Sequence, residues 1–154
     1  MHIVPIVYVA FVTVVALCGG SICGAKILSS GFSPAEMPTK TLDYIRDHKL
    51  PFDRGFNHDN WGGLIRYKLD QRVFIDDRAD FYGEEFYKQY GSIVQTQPGW
   101  DKRLDDAKIE WILMPKNSTL AAALKKDSRW KVACEDGLKN DLVDLGSILF
   151  VRNH

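Results

Sequence analysis

Between Ile3 and Ala25 the chain runs 23 residues without a charged side chain, and Lys26 opens a remainder of very different composition. An α-helix rises about 1.5 Å per residue, so about 20 apolar residues cross a hydrocarbon core of roughly 30 Å. The stretch predicts one transmembrane helix over 3–25, a linker over 26–38 and one soluble domain over 39–154. A cleaved secretory signal is the rival, because Ser29-Ser30-Gly31 offers small residues for cleavage. Against it, no Lys or Arg precedes the apolar run, and the run exceeds the usual ~7–15 residues of a signal core. The expected protein is therefore a single-pass membrane protein with lipid as its first partner. Met1 and His2 alone precede the span, so the distribution of basic residues does not orient it.

The chain carries 20 basic and 20 acidic side chains, and none of them lies in the first 25 residues. A neutral, mixed-sign domain offers no concentrated positive patch for a phosphate backbone, so no nucleic-acid partner is expected. Cys18 and Cys23 lie in the apolar run and Cys134 lies beyond it, which supports no disulfide framework. Leu17 and Ile22 precede the first two cysteines, where an acylated cysteine wants a small neighbour. Cys134, in an alternating apolar stretch, reads as a packed, inert thiol.

Within the soluble part, Leu42 and Ile45 stand one turn apart in a helix expected over Thr39–His48, with Pro51 to stop it. Arg54–Asn57 is short enough for a strand, and the polar run Asn57-His58-Asp59-Asn60 offers N-caps for a helix carrying Trp61, Leu64, Ile65 and Leu69. Arg72–Asp76 reads as a second strand, apolar for three consecutive residues, followed by a helix over Glu84–Val94. A helix over Gly99–Ala107, a strand over Glu110–Met114 and a helix after Asn117-Ser118-Thr119 come next. Lys131–Glu135 and Ile148–Arg152 are the last strands, able to pair antiparallel but free to do otherwise. This alternation predicts a three-layer α/β domain with a mostly parallel sheet and an antiparallel edge.

Ligands of open α/β sheets bind beyond the carboxyl ends of strands, and two such ends are unusually polar here. Asn57, His58, Asp59, Asn60, Trp61, Gly62 and Gly63 follow one; Asp76, Arg78, Asp80 and Tyr82 follow the other. Gly62-Gly63 in an early helical turn would let an anion approach free backbone N–H groups, or would simply let the helix pack closely on the sheet. Asp76, Asp77 and Asp80 with His58 and Asp59 supply oxygen and nitrogen donors that a divalent cation accepts, while an internal network with Arg78 paired to aspartate and Asp80 capping a helix uses the same residues. The six aromatics from Phe74 to Tyr90 fit core packing, and a carbohydrate site would need some of them exposed. Asn117-Ser118-Thr119 matches a glycosylation sequon but stands where a helix cap is expected. No nucleophile elbow, Cys-x-x-Cys or H-E-x-x-H pattern is present.

Phe56-Asn57, Asn60-Trp61-Gly62-Gly63-Leu64-Ile65, Val73-Phe74-Ile75-Asp76, Arg78-Ala79-Asp80-Phe81-Tyr82-Gly83 with Glu85-Phe86, and Glu110-Trp111-Ile112-Leu113 together carry a resemblance. From Thr39 onward the chain resembles the C-terminal extracytoplasmic domain of bacterial polytopic membrane proteins related to GT-C-type, polyprenyl-phosphate-dependent glycosyltransferases. The resemblance implies that the apolar span is the last of many membrane helices, with the chain a fragment or truncated product, and that the catalytic carboxylate lies on an early loop absent here. It implies an extracytoplasmic accessory domain, non-catalytic alone, that recognises a glycan acceptor or a polyprenyl-phosphate sugar beside a partner membrane protein. Two alternatives stay open: a self-contained metal-dependent phosphotransfer or hydrolytic enzyme at Asp76–Asp80, and a purely structural assembly domain.

Overall fold

Alternation along one strand sets the layers of the domain. In Trp111-Ile112-Leu113-Met114 successive side chains point to opposite faces, and all four are buried, so both faces of the sheet must be covered. The computed structural model describes residues 37–137 and 146–153, together with Val9, Phe11, Thr13, Val14, Ser21, Ile22, Ala25 and Lys26. The chain divides into two units, Met1–Phe32 and Ser33–His154.

In the first unit, β1 (Ser21–Ile22) pairs antiparallel with β2 (Ala25–Lys26), Ser21 opposite Lys26. A helix running unbroken to Ala25 is thereby corrected at its C-terminal end. Gly19, Gly20 and Gly24 give that stretch poor helix propensity, each glycine costing about 1 kcal/mol against alanine. Val9, Phe11, Thr13 and Val14 are helical, with the Thr13 hydroxyl donating to the Val9 carbonyl at 2.8 Å. The rest of the expected span over 3–25, and most of the linker over 26–38, lie outside the described residues. Among the described residues no helix is long and apolar enough to cross a membrane.

The second unit is an α/β domain. Its helices are α1 (Thr39–Asp47), α2 (Gly62–Leu69), α3 (Ala79–Tyr82), α4 (Glu84–Val94), α5 (Trp100–Asp106) and α6 (Thr119–Leu124). Its strands, β3 (Gly55–Asn57), β4 (Trp111–Pro115), β5 (Trp130–Glu135) and β6 (Ser147–Arg152), lie in the order β3-β4-β6-β5. On one face Phe56, Ile112, Met114, Ile148 and Phe150 pack against α4, α5 and α6 through Tyr90, Ile93, Leu104, Leu120 and Leu124. On the other, Trp111, Leu113 and Leu149 pack against Leu42 and Ile45 of α1, Trp61, and Leu64 and Ile65 of α2. These two cores make the three layers.

The sheet corrects the mostly parallel expectation. Only β3 and β4 run parallel, Gly55 opposite Trp111, while β4–β6 and β6–β5 are antiparallel. The strand expected at Arg72–Asp76 is not part of the sheet: the segment is irregular, with a bend at Phe74, and has a side chain, not a strand, as its partner. Two side chains satisfy helix starts, one local and one distant. Ser118 caps α6 by accepting from the Ala121 N–H at 3.1 Å, as expected of a cap residue. The buried Asp136 carboxylate accepts from the Lys40 N–H at 2.6 Å and the Thr39 hydroxyl at 3.2 Å, satisfying the start of α1 from the end of β5.

Candidate functional site

The two polar segments do meet, although not as strand ends. Asn57 ends β3 with its side chain only 1% exposed, and its amide behaves like a piece of neighbouring strand. Its Oδ1 accepts from the Phe74 N–H at 3.0 Å and the Ile75 N–H at 3.4 Å. Its Nδ2 donates to the Ile75 and His58 carbonyls, both at 2.8 Å. The 73–76 segment is thus fastened beside β3 by one side chain. That gives the Phe74 and Ile75 N–H groups and the Ile75 carbonyl partners without a ladder.

Gly62 lies under the same segment. A Cβ built there would stand 2.2 Å from the Ile75 carbonyl oxygen and 2.6 Å from the Asp76 Cα, whereas one on Gly63 would meet open space. The close approach that suggested an anion is therefore filled by the protein's own backbone. The expected Asp59 or Asn60 cap of α2 is absent: α2 has no side-chain cap, and Asp59 Oδ1 instead accepts from the Asn60 N–H at 2.9 Å. Trp61 is buried in the second core, with its ring 5.4 Å from that of His58.

Asp76 and Arg78 form the internal pair that the sequence allowed. The side chain of Asp76 is 3% exposed and that of Arg78 is 53% exposed. Arg78 Nε and Nη2 donate to the carboxylate at 3.0 and 2.6 Å, and the Arg78 N–H donates to Oδ1 at 3.1 Å. The hydrogen-bonding guanidinium holds the Asp76 carboxyl below its ordinary range, against the opposing effect of burial. A carboxylate depressed in this way stabilises the fold above the ordinary pKa of about 3.9 and loses that contribution as pH falls through its folded value. Acid titration should therefore show Asp76→Asn less stable than the parent at neutral pH, yet with a smaller further loss between about pH 4 and pH 2. Circular dichroism against pH tests this. Asp80 is exposed within α3, not at an N-cap: the helix that follows, α4, opens from Gly83 without a side-chain cap. Tyr82 stacks on Phe86 at 5.3 Å, and burial raises its phenol pKa.

His58 and Asp59 face an open cleft of about 780 Å³ between their turn and α4, while Asn60 is exposed and does not line it. Tyr87 donates its hydroxyl to Asp59 Oδ2 at 2.9 Å, and the Asp59 N–H donates to the Tyr90 hydroxyl at 3.0 Å. His58 Nδ1 lies 3.2 Å from Asp59 Oδ1, out of line for a hydrogen bond, and it is a buried polar atom without a hydrogen-bond partner. Burial lowers the His58 pKa despite the neighbouring carboxylate, so the imidazole is neutral at pH 7. The Asp59 hydrogen bond and burial raise the Tyr87 phenol, and burial raises that of Tyr90 much further. Lys88, paired with Glu84 at 2.7 Å, and Gln95 continue the α4 side of the cleft.

The sequence thus located His58 and Asp59 but counted Tyr87 and Tyr90 with core aromatics. Their hydroxyls, three residues apart on one helix, were the available signal. Among the described residues no three His, Cys, Asp or Glu side chains stand together as a group able to hold a metal ion. Asp76 is already engaged by Arg78 and Asp59 by Tyr87. No family model matches the chain, and no curated protein or solved structure matches it.

Proposed function

We propose that this chain is a membrane-anchored, extracytoplasmic accessory domain of a GT-C-like glycosyltransferase, or a domain working beside one, that recognises a glycan acceptor or lipid-phosphate sugar without making bonds itself. The observation that carries this reading is the open cleft lined by the Asp59 carboxylate, the His58 ring and the Tyr87 and Tyr90 phenols. Such a mixture of acceptors and donors on an aromatic wall suits the hydroxyl groups of a sugar. Lys88, exposed and ion-paired with Glu84 in the same cleft, would have to exchange that partner for a lipid phosphate. The exposed Val9, Phe11 and Val14 on the N-terminal helical stretch support an anchor in lipid.

The cleft also identifies the informative variants. Trp61 and Asp76 are buried, so their replacement tests folding before recognition. Asp59→Asn with Tyr87→Phe is expected to abolish glycan transfer in cells that hold the partner membrane protein while leaving assembly intact, as read by co-purification. Turnover of an activated sugar by the purified chain alone would overturn the proposal, as would a cytoplasmic signal from a compartment-sensitive reporter fused after His154. A structural assembly role is the second reading, favoured by the internal use of Asn57, Gly62 and the Asp76–Arg78 pair. It predicts that cleft variants fail only when assembly fails.

A further inference from the structure

Helix α4 has a second concavity on its other side, of about 510 Å³, between it and α5. Phe74 and Phe86 form its floor. Both rings pack against the core, yet each remains partly exposed, with centroids 5.5 Å apart and planes tilted by 32°. Four polar side chains stand around this shelf: Glu85 and Gln89 from α4, Arg103 and Asp106 from α5. Arg103 is steadied by donating from Nη1 to the Pro98 carbonyl at 3.1 Å.

We infer that this pocket binds a neutral pyranose ring, stacked on Phe74 and Phe86 and hydrogen-bonded at its edge by Glu85, Gln89, Arg103 and Asp106. Three features select that chemistry. Partly exposed aromatic rings lining a concavity favour a ligand with an apolar face of its own. The axial C–H bonds of a pyranose provide one, while its equatorial hydroxyls can bond the polar side chains that line the same pocket. Two carboxylates against one guanidinium leave the rim negative, which disfavours phosphates, sugar acids and nucleotides. The volume falls within the roughly 300–1,000 Å³ of small-molecule sites, enough for one or two rings. The inference stands apart from the cleft beside His58: Tyr90 touches both spaces, but none of the shelf or rim residues lines that cleft.

The test is saturation-transfer NMR on the full chain in a sugar-free detergent, with methyl β-glucopyranoside and methyl α-mannopyranoside as probes. Transfer is expected to concentrate on the axial ring protons of one face, with millimolar affinity. Ala107→Trp, which replaces an exposed residue at the pocket wall and fills the space, should remove the component of transfer that arises in this pocket. Gln89→Ala with Asp106→Ala, both exposed and away from the core, should weaken binding by about tenfold, the loss of one or two hydrogen bonds. Asp59→Asn with Tyr87→Phe, which disables the His58 cleft, should leave a component of transfer that Ala107→Trp then removes. Absence of transfer from both probes would overturn the inference, as would transfer undiminished in Ala107→Trp and in Gln89→Ala with Asp106→Ala, or all transfer lost in Asp59→Asn with Tyr87→Phe. The last result would move sugar binding to the His58 cleft and leave the proposed function standing.

Discussion

Gly62→Ala is expected to destabilise the domain by about 3 kcal/mol or more, and Gly63→Ala to leave it unchanged or raise its stability by about 0.5 kcal/mol. The two positions are adjacent in one helix and share a residue type, so intrinsic propensity predicts the same small gain from both. Their surroundings differ completely. A methyl group on Gly62 would enter the space of the Ile75 carbonyl and the Asp76 Cα, which are backbone and cannot rotate away. Relief requires α2 to lift from the 75–76 segment, and that movement would loosen both the Asn57 clamp and the second core at Leu64 and Ile65. Gly63 points into open space, where a methyl group only removes freedom from the unfolded chain. Thermal unfolding of the two single variants gives the comparison directly. Equal midpoints would show that the helix and the 75–76 segment are not in close contact.

The same contact explains what could and could not be read from the sequence. Periodicity located the helices because each has an apolar stripe with one destination: Leu42 and Ile45 on α1, Leu64 and Ile65 on α2, Leu120 and Leu124 on α6. β4 was legible because Trp111–Met114 is apolar on both faces. Val73-Phe74-Ile75 carries the same apolar signature, and local sequence does not distinguish a buried strand from an irregular, partly buried segment held by one amide. The distinction lies in Asn57, 17 residues earlier than Phe74, whose side chain takes the place of a strand edge. Removing that strand also changes the sheet. Two crossovers remain, from β3 to β4 and from β4 past β6 to β5, and only the first joins hydrogen-bonded parallel neighbours.

The candidate site divides along similar lines. Glycine pairs, buried aspartate and arginine have the same appearance in sequence whether they face a ligand or each other. Gly62 and the Asp76–Arg78 pair face each other's backbone and charge, and Trp61 faces the core. His58 and Asp59 do line a cleft, but its other wall comes from α4, about thirty residues onward, with hydroxyls on rings that pattern alone assigns to the core. Only the fold brings those two walls together.

Asn57→Ala should cost about 3–4 kcal/mol, because it removes four hydrogen bonds at once and leaves buried donors on Phe74 and Ile75 without an acceptor. Hydrogen exchange should localise the damage, with the Phe74 and Ile75 amides exchanging far faster than those of β4. Asn57→Asp separates the acceptor from the donor. It keeps an oxygen for the two N–H groups but sets a second oxygen against the His58 and Ile75 carbonyls, where only a proton donor is tolerated. At neutral pH this variant should be at least as unstable as Asn57→Ala, since a buried carboxylate would face two carbonyl dipoles. Burial raises such a carboxyl above its ordinary value of about 3.9, so the penalty is complete above the raised value and vanishes below the ordinary one. Asn57→Asp should consequently regain stability relative to Asn57→Ala as the pH is lowered toward about 4, the reverse of the acid sensitivity conferred by Asp76. Parallel denaturation curves for the two variants at neutral and mildly acidic pH decide it. If the Asp and Ala variants kept a constant difference across that range, the Nδ2 donations would not be holding the 73–76 segment.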